Sequence, residues 1–150
     1  MERQQRVMST EPLFSPSRIA LDLSAPDRDA ALRATAELLS GDTRVGAWEE
    51  FWSSIGARQV VDLADCAGHV MIAHGRGKSV ADLALAAARW SGPDGPCLIF
   101  VFAIPAAMSG EYLRKVGALA RVCREPQKLG ALVSAATPED FAALLEEWLA

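Results

Sequence analysis

Apolar positions along the chain recur at changing periods, and each change of period marks an element. Ile19 to Leu23 alternates as a short strand does, and Ser24-Ala-Pro-Asp27 then offers a capping residue, a helix-start proline and an early acid. A helix is expected to follow. Leu32, Ala36 and Leu39 recur at helical spacing until Gly41-Asp42 stops the run, and Val45, Trp48, Trp52 and Ile55 form a second helical stripe. After Gly56-Ala57-Arg58 the pattern becomes irregular. Val70 to Ala73 is then a short apolar run, read as a strand entering a donor-rich loop, His74-Gly-Arg-Gly-Lys78. Val80 to Trp90 has two readings: its alanines favour helix by propensity, whereas the turn residues Ser91 to Pro96 and the strand after them suit a hairpin. The strand is preferred. Cys97 to Ile104 is an unbroken apolar run with two phenylalanines, the pattern of a central strand covered on both faces.

The C-terminal third reads as helical. Leu113, Val116, Ala120 and Cys123 mark one helix that ends at Pro126, and Leu129, Leu132 and Val133 mark a shorter one. Thr137-Pro-Glu-Asp140 then supplies a cap, a first-turn proline and an acid before the stripe of Phe141, Leu144, Leu145 and Trp148. Strands interspersed with helices imply an α/β fold around one sheet. Residues 1–16 carry few large apolar side chains and end in a turn signal, so they are expected to form a loose leader before one domain over 17–150.

Composition narrows the function classes. An apolar fraction of 51% in 150 residues suits a single core, and a net charge of −4 without a Lys/Arg run argues against a nucleic-acid partner. The longest apolar stretch, Cys97 to Met108, is broken by Pro105 and falls short of the roughly 20 residues of a membrane span, so no membrane insertion is expected. The N-terminal segment lacks the apolar middle of a secretory signal, and Cys66, Cys97 and Cys123 are odd in number and far apart. Both features point to a reducing, cytoplasmic setting.

Candidate chemistry gathers near the only two histidines, His69 and His74. His74 stands where an apolar run meets glycines, and a neutral imidazole is a good nucleophile toward phosphorus. Arg58 and Arg76 are the candidate phosphoryl-binding forks, with Lys78 as a point charge. Residue type alone leaves open an ordinary loop histidine bonded to backbone. Gly77-Lys78-Ser79 looks like the tail of a P-loop, but Ile72 stands where that motif needs its first glycine. Asp62, Asp65, Cys66, His69 and His74 lack the spacing of the common metal motifs, so no metal is expected. Cys66 has no orienting partner that would make it a nucleophile, and Trp48 and Trp52 are read as core rather than as a stacking platform.

Taken together, Ile19-Ala-Leu-Asp-Leu23, an Arg-Gln pair at 58 and 59, and Val-Met-Ile-Ala-His-Gly-Arg from 70 to 76 resemble the enzyme IIA family of the fructose, mannitol and nitrogen-regulatory phosphotransferase systems. Arg58 and His74 stand sixteen residues apart, the family's own spacing. Phe100-Val-Phe-Ala-Ile-Pro105, Gly110-Glu-Tyr-Leu113 and Thr137-Pro-Glu-Asp140 extend the likeness from about residue 11 to the end. The resemblance implies a single domain with a mixed, parallel and antiparallel, sheet flanked by helices. It also implies that His74 accepts a phosphoryl group from an HPr-like phosphocarrier and that Arg58 clamps its oxygens, with Arg76, Tyr112 and the loop amides as further phosphoryl-stabilising donors. No cofactor is implied. Onward partners would be a sugar permease IIB component or a regulated target protein. The site departs from the family pattern in several places. Gln59 replaces a glutamate, Leu63 and Ala64 a Ser-Thr pair, Asp65, Ala67 and His69 glycines, Ala73 a proline, and Tyr112 the second active-site histidine. The segment between Leu83 and Cys97 is also short, which suggests a trimmed hairpin beside the active face. These losses fit an alternative, a IIA-like regulatory or binding module that is not phosphorylated.

Overall fold

The structure, a computed structural model, describes residues 13–55, 60–62, 69–92, 95–107 and 110–149. Five strands form one mixed sheet in the order β1-β4-β5-β3-β2: β1 (Ile19–Leu23), β2 (Val60–Asp62), β3 (His69–Gly77), β4 (Ala84–Gly92) and β5 (Gly95–Pro105). β1 runs parallel to β4 and β3 parallel to β5, while β4–β5 and β2–β3 are antiparallel. Five helices accompany it: α1 (Arg28–Glu37), α2 (Trp48–Ile55), α3 (Gly110–Cys123), α4 (Pro126–Ser134) and α5 (Pro138–Leu149).

The two faces of the sheet differ in side-chain size, and that difference decides what covers them. Val70, Ile72, Leu85, Leu98, Phe100, Phe102 and Ile104 face one way, into a core closed by Leu119 and Val122 of α3, Leu129 and Leu132 of α4, and Phe141 and Leu145 of α5. Met71, Ala73, Ala84, Ala86, Val101 and Ala103 face the other way, toward Ala31 and Ala36 of α1 and Phe51 and Ile55 of α2. The period-2 alternation of strands thus separates a bulky layer from a shallow one. Ala84 and Ala86, two of the alanines that made 80–90 ambiguous, line the shallow layer, where close helix packing outweighs their helical propensity, whereas Ala87 faces the bulky layer. β5 is buried from Cys97 to Ile104. It is the central strand that its apolar run predicts.

Local signals place most element ends. Asp27, rather than Ser24, caps α1, its Oδ1 accepting from Ala30 N–H at 2.8 Å. Thr137 Oγ1 accepts from Asp140 N–H at 3.1 Å at the start of α5. The β4–β5 hairpin narrows to the pair Gly92 and Gly95, and Gly95 has φ +111°, a conformation that disfavours any side chain. That closure lies seven β5 residues from Phe102, the partner of His74, which is roughly 20 Å along a strand. The short connection therefore sits at the far end of the sheet from His74, not beside it.

Other expectations meet the structure differently. Val45 is not helical; it makes an antiparallel bridge with Val80, and α2 begins at Trp48. The expected loop from His74 is strand as far as Gly77, because β5 continues alongside it to Pro105. On α3, Leu113 is 62% exposed while Tyr112 is buried, so the buried stripe runs through Tyr112, Leu119, Val122 and Cys123. Of the leader, residues 1–12 lie outside the described residues, whereas Phe14 is buried in the bulky-layer core. Trp48 and Trp52 pack at the margin of the shallow layer, their rings stacked at 6.0 Å.

A buried ion cluster ties the turn after α1 to its neighbours. Arg44 Nη2 and Nε donate to Asp42 at 2.6 and 2.8 Å, and Arg18 Nε donates to the same carboxylate at 3.0 Å. Arg44 Nη1 also reaches Leu83 O, and Arg18 Nη1 reaches Leu38 O. Burial by itself would push the Asp42 carboxyl up, but the Arg44 hydrogen bonds and charge, with help from Arg18, bring it from 3.8 down to about 2.

Because the folded-state value lies below the unfolded one, the Asp42 contribution is present above pH ~4 and is lost as pH falls toward 2; it amounts to about 2 kcal/mol. Asp42→Asn should cost about 3 kcal/mol at pH 7, since it removes the negative charge that both Nε and Nη2 of buried Arg44 contact. The gap from the parent should narrow in urea melts at pH 3, and an unchanged gap would show that the pair does not titrate as described. Packing of α2 gives a second test. A Cβ at Gly75 would lie 2.6 Å from Ser54 Oγ and 2.7 Å from Phe51 Cε1. Gly75→Ala should therefore lower stability by about 1–3 kcal/mol, read as a reduced urea midpoint.

Candidate functional site

His74 lies near the C-terminal end of β3, paired in register with Phe102 of β5. Alternation from Val70 and Ile72 puts it on the bulky-layer face, between buried Ile72 and exposed Arg76. β5 ends at Pro105, and the chain re-enters as α3, whose first turn brings Tyr112 back over the same edge. Tyr112 Oη and His74 Nδ1 are 3.0 Å apart, with ring centroids at 5.1 Å. Phe102 meets the Tyr112 ring edge-on at 5.3 Å, which holds the phenol against the imidazole. No described residue bonds His74 Nε2.

Arg76 stands two residues on, on the same side of β3, with an exposed side chain whose Nη1 reaches Ala106 O at 3.4 Å. Its backbone N–H donates to Ser54 Oγ at 3.1 Å, and Ser54 in turn donates to Phe51 O at 2.6 Å. That amide is engaged in seating α2 against β3. The donor-rich loop expected here is thus replaced by paired strand, and Gly75 is required by the approach of α2 rather than by a bound anion.

Burial pushes the His74 pKa below its ordinary 6.5, and the positive charge of Arg76 adds to the shift. The imidazole is therefore neutral at pH 7. Burial raises the Tyr112 pKa, with Arg76 opposing, so the phenol keeps its proton at that pH. A neutral ring held by one nitrogen and free of described partners at the other can act as a nucleophile or a hydrogen-bonding group.

Of the residues singled out from sequence, the structure brings His74, Tyr112 and Arg76 together and leaves Lys78 exposed. Arg58, Cys66 and the Leu63 to Ala67 stretch lie outside the described residues. Among the described residues no group of three or more His, Cys, Asp and Glu side chains could hold a metal ion. No described helix is long and apolar enough to cross a membrane. Ser54 and Phe102 were not legible as site residues. Ser54 reads as one polar position of a helix, and Phe102 as one of many apolar residues in β5.

No protein-family model and no curated protein matches this sequence. Solved structures do. Nitrogen regulatory protein IIA-Ntr from Neisseria meningitidis superposes with a TM-score of 0.72 at 22% identity, covering 94% of this chain and 99% of that one. A Streptococcus pyogenes chain assigned as a PTS IIA domain superposes with a TM-score of 0.58 at 18% identity, covering 88% and 91%. The fold is that of a phosphotransferase-system IIA domain. At such identities the likeness concerns the fold, and the chemistry of this IIA-like chain is argued from its own residues.

Replacing Arg76 by Gln should raise the His74 titration midpoint by removing the nearby positive charge. Because burial is the larger cause, the midpoint should stay below 6.5. The His74 ring-proton shift followed by NMR across pH 4–8 reads this directly, and a downward movement would contradict the assignment of causes.

Proposed function

We propose that this IIA-like module is a phosphoryl carrier in which His74 takes a phosphoryl group from an HPr-like phosphocarrier protein. The observation that carries the reading is the one-sided hold on His74. Nδ1 faces Tyr112 Oη at 3.0 Å, whereas Nε2 has no partner among the described residues. An in-line donor would therefore be met by Nε2. Its lone pair forms the new N–P bond as the donor's N–P bond breaks, and the donor imidazole leaves with the electron pair. Nδ1 of His74 keeps its proton through the transfer, donating a hydrogen bond to the Tyr112 hydroxyl oxygen, and the phosphorylated ring then loses that proton to solvent.

Arg76 is the described cation nearest this chemistry by its effect on His74, and its guanidinium would stabilise charge spread over the transferring oxygens. Arg58 would be a second clamp, on the strength of its spacing from His74. Tyr112, engaged at Nδ1, is on the wrong side of the ring to touch a group on Nε2, so its part is to hold the ring rather than to bind phosphoryl oxygens. Leu113, 62% exposed beside Tyr112, offers an apolar contact for the donor protein. Onward transfer to a permease IIB component, or use of the phosphorylated state as a regulatory signal in a reducing cytoplasm, would follow from the same group.

A second reading, a IIA-fold module that binds a target without being phosphorylated, is favoured by Tyr112 itself, whose hydroxyl can close the nitrogen it touches.

Incubation with phosphoenolpyruvate, the general phosphotransferase enzyme and HPr separates the two. Intact-mass analysis should show one acid-labile phosphoryl group on the parent and none on His74→Ala. No addition with either the sugar-branch or the nitrogen-branch donor would establish the non-phosphorylated module instead.

A further inference from the structure

We propose that Tyr112 is a positioning residue that keeps His74 in a non-nucleophilic tautomer at rest and releases it when their shared hydrogen bond reverses. The inference deepens the carrier reading, on which its functional consequence rests, but its structural content stands by itself. A neutral imidazole has one N–H and one lone pair, and the hydrogen bond at either nitrogen decides which is which. The 3.0 Å contact of Tyr112 Oη with Nδ1 can run in two directions. A phenol is the stronger acid of the two groups and an imidazole nitrogen the stronger base, so the favoured direction has Tyr112 O–H donating to Nδ1. The proton of His74 then resides on Nε2.

In that state neither nitrogen is available. Nε2 carries hydrogen, and the Nδ1 lone pair is covered by a phenol that is 8% exposed and wedged by Phe102 at 5.3 Å. Attack by Nε2 requires the other tautomer, in which Nδ1–H donates to Tyr112 Oη. The hydroxyl accommodates this by rotating its own hydrogen away, because an O–H is both donor and acceptor. A carboxylate at this position would accept only and would fix the reactive tautomer. Tyr112 instead leaves the choice to what approaches Nε2, and a phosphoryl donor, by requiring its lone pair, selects the reversed bond.

Nitrogen-15 NMR on protein labelled at histidine tests this without any phosphotransferase partner. The proposal expects His74 at neutral pH to show a protonated Nε2 and an Nδ1 shift typical of a hydrogen-bond acceptor. A resting ring protonated on Nδ1 would overturn it while leaving the carrier reading intact. The kinetic arm uses phosphoramidate, whose P–N bond breaks with release of ammonia as the His74 N–P bond forms. Tyr112→Phe removes the bond in both directions, and because the resting O–H to Nδ1 bond is the favoured one, modification of His74 should accelerate, by less than the roughly tenfold that one neutral hydrogen bond is worth. An equal or slower rate in a variant with the parent's far-ultraviolet circular dichroism would equally overturn it.

Discussion

Burial of β5 on both faces is the constraint on which the rest of the molecule depends. From Cys97 to Ile104 every residue of this strand is buried, so both layers of helices must be present and each must fit the size of the residues beneath it. Phenylalanines and leucines on one face hold α3, α4 and α5 at a distance that large side chains fill. Alanine, valine and a glycine on the other face draw α1 and α2 in close. The position of His74 follows from this arrangement. It sits in register with Phe102 on the bulky-layer face near the C-terminal end of β3, and the helix that returns over that end supplies Tyr112.

Much of this was legible along the chain. The unbroken run of β5 announced a central strand, and Thr137 and Pro138 marked a helix start because their physics is local, whereas α1 is capped by Asp27 rather than Ser24, and Pro126, read as the end of one helix, opens α4. What misled was context. His74 to Gly77 reads as a loop because glycines depress strand propensity, yet β5 pairs with it throughout, and Gly75 is there to admit Phe51 and Ser54. Leu113 reads as core and is exposed, whereas its neighbour Tyr112 turns inward to meet Phe102. The cluster of Asp42, Arg44 and Arg18 joins positions 24 residues apart in sequence, and no spacing rule foretells such a partner.

The candidate site was visible in outline only. Type and position singled out His74, Arg76 and Tyr112, and the structure brings the three together at one edge of the sheet. Their relation was not visible. A tyrosine where the resemblance expects a second histidine reads as a hydrogen-bond donor to phosphoryl oxygens, and in the structure its hydroxyl lies 3.0 Å from Nδ1 of the ring. That difference changes the chemistry, because a phenol stays protonated at neutral pH and can face the imidazole as donor or acceptor. The IIA fold, shared with the Neisseria meningitidis nitrogen regulatory protein, is compatible with both a carrier and a silent module, and the imidazole decides between them.

The central claim is that Nε2 of His74 accepts the phosphoryl group. Phosphorus-31 NMR of the protein after incubation with phosphoenolpyruvate, the general enzyme and HPr tests it most directly, since the two phosphohistidine isomers resonate apart. The account predicts a single protein-bound resonance of the Nε2 isomer; a resonance of the Nδ1 isomer, or none, would contradict it.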